Sequence, residues 1–519
     1  MKKKKLRIEP TFKEYNQHQG MLFPPSLDDM IPQGNLVRLV NSIIESMDIS
    51  NLVKQYKMVG TSSYHPKMML KAILYAYTQR IYSSRRIAKA LRENIHFMWI
   101  CGMNRPDFRT INRFRTSRLK ATIDELFYSL IEILEEMQVI KLENYFLDGT
   151  KIEANANKYT WVWKKSNKRY RENLEKKVKA LLVEIDRENE AEESEYKDKD
   201  LEETGEDANI DSEALKKRIE EMNERLREKP EDKDLKKAVK ILEKDYLPKL
   251  EKYEDQAEKL GDRNSYSKTD TDATFMRMKE DQKNGQAKPG YNVQIGTENQ
   301  FIVGYSIHQQ AGDTSCFIPH LERVKTEFKN RLPENIITDA GYGSEENYEY
   351  IESNELGNYV KYNYYHIEKT KKFKENKFRV ENLPYDSEKN EYSCPGEKKL
   401  KYSETREIIT ANGYKTHRDL YECEDCNECT FREQCHKSAN NRRIQVSHRL
   451  NYLKGKAREN LNSEKGTVLR KKRGVEVESV FGQIKHNKLF KRFLLRGIEK
   501  VNIEWGLISI AHNLMKIPV

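Results

Sequence analysis

The stretch PGYNVQIGTENQFIVGYSIHQQAGD, Pro289–Asp313, carries two runs rich in β-branched and aromatic residues on either side of TENQ, the pattern of a β-hairpin. Upstream, NYFLDGTKIEANANKYTWVW, Asn144–Trp163, opens with an apolar run that stops at Asp148 and Gly149 and reads as a strand. Downstream, CFIPHLERVKTEFKNRL reads as a helix, NIITDAGYG as a buried strand ending in Asp339, SEENYEYIESNEL as a helix and NYVKYN as one more strand. Strand, hairpin, helix, strand, helix, strand, and a last helix after a long excursion: this order predicts an α/β core, a mixed sheet with helices on its faces.

Outward from that core the chain changes character. Residues 36–137 read as mostly helical, with apolar spacing near 3.6 residues through HPKMMLKAILYAYTQRIYSSRRIAKALRENIHFMWICG. Pro106 and Asp107 then start a helix whose first turns project Arg109, Asn112, Arg113 and Arg115. Two helices about a short turn, the second opening with Arg and Asn, fit a helix-turn-helix that contacts DNA. From Lys164 to about Leu260 Glu and Lys dominate. Three apolar stripes (Leu174, Val178, Leu181, Ile185; Leu215, Ile219, Met222, Leu226; Leu235, Val239, Leu242, Tyr246) predict an antiparallel, coiled-coil-like helical arm that serves as a spacer.

With 519 residues, 37% of them apolar and 34% charged, the chain has length for more than one domain and much solvated surface. Residues 441–519 hold 18 Lys and Arg against 6 Asp and Glu, a surplus of 12 beside +11 for the whole chain. A basic surface so concentrated suits a polyanion, with DNA or RNA foremost. There is no run of ~18 uninterrupted apolar residues, and MKKKKLRIEP continues into polar sequence where a signal peptide needs an apolar core. A cytoplasmic protein without a membrane span is expected.

Asp148 and Asp339 both sit where an apolar strand gives way to a Gly-containing turn, and ligands of open α/β sheets gather at C-terminal strand ends. Two such carboxylates with a third from a helix could hold two Mg²⁺ ions, the arrangement that serves in-line phosphoryl displacement. Asp270, Asp272 and Asp313 compete on the same grounds but lack the apolar strand before them. In VEVESVFGQIKHNKLFKRF, Val475–Phe493, the residues Val477, Val480, Phe481 and Ile484 define a buried helical stripe. At ~100° per residue, Glu478 falls on one edge of it with Lys485 and Arg492, and Glu476 on the other with Gln483 and Asn487. Glu478 therefore has the phosphate-binding company.

Seven cysteines occur, five of them between Cys394 and Cys435, which in a cytosolic chain points to metal rather than disulfides. In YECEDCNECTFREQCH the two-residue spacing of Cys423, Cys426 and Cys429 suits one tetrahedral Zn²⁺, with Cys435, His436 and the upstream Cys394 as further candidates.

These segments resemble an insertion-sequence transposase of the DDE class, and within it the branch typified by insertion sequence 1182, in the group that carries a YREK signature. The resemblance rests on YFLDGTKIEANANKYTWVWKKS, DATFMRMKEDQKNGQAKPGYNVQIGTE, ITDAGYGSEENYEYI and VEVESVFGQIKHNKLFKRFLLRG, with PDFRTINRFR and the cysteine cluster besides. It implies an RNase H-like core whose Asp148, Asp339 and Glu478 hold two Mg²⁺ or Mn²⁺ ions. It also implies metal-dependent cleavage at transposon ends, then attack of a 3′-hydroxyl on target DNA. The signature's Lys falls on Lys485. Its Arg and Tyr positions hold Gly474 and Lys471, which makes Arg473 the candidate substitute. Lys485 and Arg492 would hold phosphates beside the scissile bond. Among the cysteines the resemblance favours Cys394, Cys426, Cys429 and Cys435 as ligands of one structural Zn²⁺, with Cys423 spare. Trp161 and Trp163 could stack on an extruded base, but core packing is the expected fate of a strand-like WVW.

The resulting division has a helical DNA-binding region at 1–137, an RNase H-like core from 138–163 and 264–369, a helical insertion at 164–263, a Cys-rich insertion at 370–440 and a basic helical completion of the core at 441–519. Its partners are double-stranded DNA, as terminal inverted repeats and target, and a second copy or more of the chain, since two ends must meet. The competing readings are a zinc-containing DNA-binding regulator without catalysis and a DDE-fold nuclease without strand transfer.

Overall fold

A computed structural model describes residues 26–56, 63–193, 211–278, 286–410 and 412–518. MKKKKLRIEP and the KEDQKNG segment of the second quoted motif lie outside the described residues. Eight strands come first in chain order: β1 (Asn144–Glu153), β2 (Trp161–Trp163), β3 (Ser265–Ser267), β4 (Thr274–Arg277), β5 (Ala287–Glu298), β6 (Phe301–His308), β7 (Asn335–Thr338) and β8 (Gly357–Val360). Five of them form the central sheet in the order β6-β5-β1-β7-β8, and β4 pairs the start of β5. β5 runs antiparallel to both β1 and β6, whereas β7 is parallel to both β1 and β8. The β5–β6 turn is Asn299-Gln300, both at positive φ (51° and 64°), the type I′ geometry that matches strand twist. The hairpin read from TENQ is therefore real, and the core is a mixed sheet with helices Phe317–Glu327 and Glu345–Ser353 in the crossovers.

Asp148 departs from its expected place. The strand does not stop there; it continues five residues to Glu153, paired with β5 from Phe146↔Thr297 to Glu153↔Gly290. What stops is the parallel partner β7, whose pairing with β1 ends at Phe146↔Ile337.

Helix Ile498–Lys516 is buried along nearly all its length. It packs on β6 and on the N-terminal helices Pro66–Thr78 and Ile123–Glu136, so one hydrophobic core runs from Ile31 to Ile517 and joins the helical layer to the sheet. The helical arm leaves after β2 and returns before β3. These two strands pair (Trp161↔Ser267 to Trp163↔Ser265) as a two-stranded neck. Helices Lys164–Glu193, Ser212–Glu228, Lys233–Ile241 and Leu247–Leu260 bury their own stripe, including Leu174, Val178, Ile185, Leu215, Ile219, Val239 and Leu242. Leu182, rather than Leu181, takes the fully buried position on the first helix. The Cys-rich excursion is a five-stranded antiparallel sheet, β9 (Tyr385–Asp386), β10 (Glu391–Ser393), β11 (Lys399–Ile409), β12 (Lys415–Cys423) and β13 (Arg443–Val446), in the order β13-β12-β11-β10-β9. Among the described residues no helix is long and apolar enough to cross a membrane.

Candidate active site

The parallel pairing that ends at Phe146↔Ile337 aligns Asp148 with Asp339 when its register is continued two residues. The same holds one strand further on: β7 and β8 pair to Thr338↔Val360, and the next step sets Asp339 beside Lys361. Three adjacent strands thus deliver acid, acid and base to one end of the sheet. Asp148 turns Oδ1 to its neighbour's backbone, accepting from Gly149 N at 2.8 Å. Asp339 caps a short turn in the same way, accepting from Gly341 N at 2.8 Å. Both Oδ2 atoms face one guanidinium: Arg473 Nη2 lies 3.2 Å from Asp148 Oδ2 and 3.5 Å from Asp339 Oδ2. Arg473 Nη1 lies 3.5 Å from Glu478 Oε1. The three predicted acids, spread over 330 residues of chain, meet around the Arg473 guanidinium.

Their environments differ. The side chain of Asp148 is 8% exposed and that of Glu478 is 64% exposed, while Arg473 is 10% exposed and its Nε has no hydrogen-bond partner. Lys361 was missed by sequence reasoning. Burial, with Arg473 and Arg470 beside it, holds its ammonium below the usual lysine range, while Asp339 and Glu478 pull the other way. Its signal was available: Lys361 follows the strand of NYVKYN as Asp339 follows that of NIIT.

Arg473 reaches Glu478 because the helix is not α-helical between them. Residues Gly474–Glu478 form one π turn, whose wider i→i+5 winding brings side chains five residues apart toward one face. On an α-helix at ~100° per residue, five positions would leave the two side chains about 140° apart. A second π turn spans Gln483–Asn487, and Leu489 at φ 56° ends the helix. This corrects the two-edge reading of the segment. Glu476 is the buried glutamate, accepting from Gln300 N at 2.6 Å with Lys472 at 3.3 Å, so it secures the β5–β6 turn. Lys485 is buried, and its Nζ donates to the Lys151 carbonyl at 3.1 Å. Arg492 lies beyond the helix, bridged to Glu153, and donates to the carbonyls of Ala154 and Ala156 at 3.1 and 3.2 Å.

The other candidates separate cleanly. Arg109 and Arg113 are exposed, on the helix that Asp107 caps by accepting from Thr110 N at 2.7 Å. Arg115 is buried and donates to Tyr77 Oη, the Tyr82 carbonyl and Asn112 Oδ1. It is a core residue, unavailable to DNA. Asp270 accepts from Tyr291 Oη and Gly497 N, and Asp272 from Ile498 N, so both secure the start of the C-terminal helix. Asp313 accepts from Asn292 and Gln294. Trp161 and Trp163 are not core residues: they are 43% and 38% exposed, both against Phe275, while Val162 between them is buried.

Cys394, Cys423, Cys426, Cys429, Cys435 and His436 line one cavity of about 20 Å³. Both ring nitrogens of His436 are buried without a partner, and burial pushes the Cys423 thiol up to about 12. Arg442 donates through its backbone to Cys426 Sγ and through Nη1 to Cys435 Sγ, at 3.3 and 3.2 Å. Among the described residues no group of three or more His, Cys, Asp or Glu is arranged to hold a metal ion. The expected zinc site is therefore not formed as a coordination set here, and at the acids the cation is Arg473.

Residues 393–518 match the transposase DDE domain family, and residues 25–117 match a second family, described as a transposase domain (DUF772). Glu478, Arg473 and Lys361's neighbouring helix at 448–462 belong partly or wholly to the first span, whereas Asp148 and Asp339 fall outside both. No curated protein and no solved structure matches the chain. The two matches define an enzyme that cleaves DNA and transfers strands. The matched domains give the chain a DNA transposase function, and they support the insertion-sequence DDE kind of transposase. DDE transposase domains generally use a divalent metal such as Mg²⁺, and the family implies DNA as partner.

Proposed function

We propose that Asp148, Asp339 and Glu478 are the catalytic acids of an RNase H-like core that cuts the terminal inverted repeats of an insertion sequence and joins them to target DNA. The observation that carries this reading is their convergence on one cation, with oxygens 3.2 to 3.5 Å from the Arg473 guanidinium. A set of hard carboxylate oxygens already gathered about positive charge fits Mg²⁺ or Mn²⁺. The strand order β6-β5-β1-β7-β8, antiparallel on one side and parallel on the other, supports the RNase H-like assignment. Divalent metal, when bound, activates the attacking oxygen and stabilises the leaving one. The chain's own part is positional. β1 and β7 hold Asp148 and Asp339 in register, each fixed by a backbone hydrogen bond. Glu478 closes the site from the solvent side, and Lys361 contributes a cation where phosphate would lie. The exposed Arg109 and Arg113 serve DNA binding, and two or more copies bring the two ends together. At the cysteine cavity, Cys394, Cys426, Cys429 and Cys435 are the set that would hold one structural zinc, although among the described residues they do not form a coordination set.

The test is cleavage of end-bearing DNA with Mg²⁺ or Mn²⁺. Asp148→Asn, Asp339→Asn and Glu478→Gln are each expected to abolish cutting while DNA binding persists. Normal cutting by all three variants would end the assignment, and transfer of the cut end to a second DNA separates transposase from nuclease.

A further inference from the structure

Resting on that assignment of the acids, we propose that Arg473 is a built-in counter-ion which the divalent metal must displace, so that metal loading is a competition inside the protein. Asp148 accepts through Oδ1 from Gly149 N within β1, and Asp339 through Oδ1 from Gly341 N in its turn. Their Oδ2 atoms, and Oε1 of Glu478, are the atoms that the guanidinium faces. One set of oxygens cannot hold the guanidinium and a metal at contact distance together. Arginine does not deprotonate, so it can leave only by moving its side chain.

The surroundings make both states accessible. Without Arg473, three carboxylates from three elements would face one another around a partly buried space, an unfavourable arrangement of like charges. With it, the cluster holds together unloaded. Yet the guanidinium meets these three acids through ionic contacts, and its buried Nε has no acceptor. Lys361 lies close enough to Arg473 for the two charges to repel each other, and this repulsion helps expel the guanidinium. The π turn at Gly474–Glu478 is what sets Arg473 over Glu478 at all, and π turns recur at functional sites. Arg473, the candidate for the signature's Arg and, on the sequence, for a contact to DNA, thus acts first as a positioning residue for the acids.

The experiment measures Mn²⁺ binding to the full chain by calorimetry, together with melting of the metal-free protein, in wild type, Arg473→Met and Asp148→Asn. Arg473→Met is expected to melt lower without metal and to bind Mn²⁺ about tenfold more tightly or better, within the usual range of coupling between two ligands. Unchanged or weaker Mn²⁺ binding in Arg473→Met, with binding lost in Asp148→Asn, overturns the competition and leaves the acid assignment standing. Mn²⁺ binding that ignores Asp148→Asn overturns both. If Arg473→Met does not fold, Arg473→Lys carries the test: its single ammonium cannot span three acids, and its Mn²⁺ affinity is expected above wild type.

Discussion

The two glutamates of the basic C-terminal helix should separate stability from chemistry. Glu476 is 2% exposed, and its carboxylate accepts from Gln300 N at 2.6 Å across 176 residues of chain. Hydrogen bonds to charged groups contribute about 1.5–3 kcal/mol, and the half-exposed Lys472 at 3.3 Å adds little. Glu476→Ala is therefore expected to cost about 2–3 kcal/mol, read as a fall of several degrees in melting temperature, with cleavage by the folded fraction intact. Glu476→Gln keeps an acceptor for Gln300 N and should recover most of the loss. Glu478 is the reverse case: 64% exposed, with one ionic contact at 3.5 Å, of a kind worth about 0–1 kcal/mol. Glu478→Gln should melt with wild type and lose cleavage by more than about 100-fold, since even groups one shell removed from a metal matter 10- to 100-fold. The assay pairs thermal melts with strand cleavage of end-bearing DNA. A stable, inactive Glu476→Ala beside an active Glu478→Gln would refute the assignment.

Four other outcomes follow from particular contacts. Lys488 is buried without a hydrogen-bond partner, and burial plus Arg80 pushes its ammonium down to about 7. Its folded value lies below its unfolded one, so unfolding takes up a proton between about pH 7 and 10.5 and wild-type stability rises through that window; Lys488→Met should stabilise most at and below pH 7 and not at all near 10.5, as melting against pH will show. A Cβ on Gly296 would come within 1.7 Å of the Tyr145 ring, which His320 holds at 2.7 Å. Gly296→Ala should thus lose about 3 kcal/mol or more, and near-wild-type melting would deny that packing. Trp161→Ala and Trp163→Ala should leave melting unchanged but weaken DNA binding, with the indole fluorescence quenched on DNA in the wild type; equal DNA affinity removes their role. Zinc at the cysteine cavity predicts about one zinc per chain by elemental analysis, whereas metal-free protein with all seven thiols titrating freely in the folded state contradicts it.

How far the sequence carried depends on whether a feature is local. The β5–β6 hairpin was legible because a two-residue turn between β-rich runs is set by neighbours in sequence. The arm was legible because exposed helices keep their apolar stripe in strict period. Where tertiary pairing intervenes, the same signals misled. FLDG looked like a strand end because the apolar run stops at Leu147, yet β5 keeps the chain extended to Glu153. Arg115 and Lys485 looked like DNA ligands because cations are usually exposed, but each is held inside by hydroxyl or carbonyl acceptors from distant segments. For Trp161 and Trp163 the error ran the other way: only Val162 turns inward, toward Leu260 and Tyr266, and the indoles remain outside.

The three proposed acids each lie beside an element readable from sequence; the cation among them does not. A fixed 100° step groups Glu478 with Lys485 and Arg492, but two π turns and the break at Leu489 reset the phase, with Lys485 donating to the Lys151 carbonyl and Arg492 paired with Glu153. The same reset explains why Arg473, five residues before Glu478, occupies the place an arginine four residues before it would take on an unbroken α-helix. One residue of slack in the helix is thus what joins a basic segment to two aspartates on other strands, and it makes Arg473 the residue through which metal, acids and helix geometry are coupled. A shift of phase cannot be seen in hydrophobic periodicity, because Val477, Val480, Phe481 and Ile484 remain buried through it.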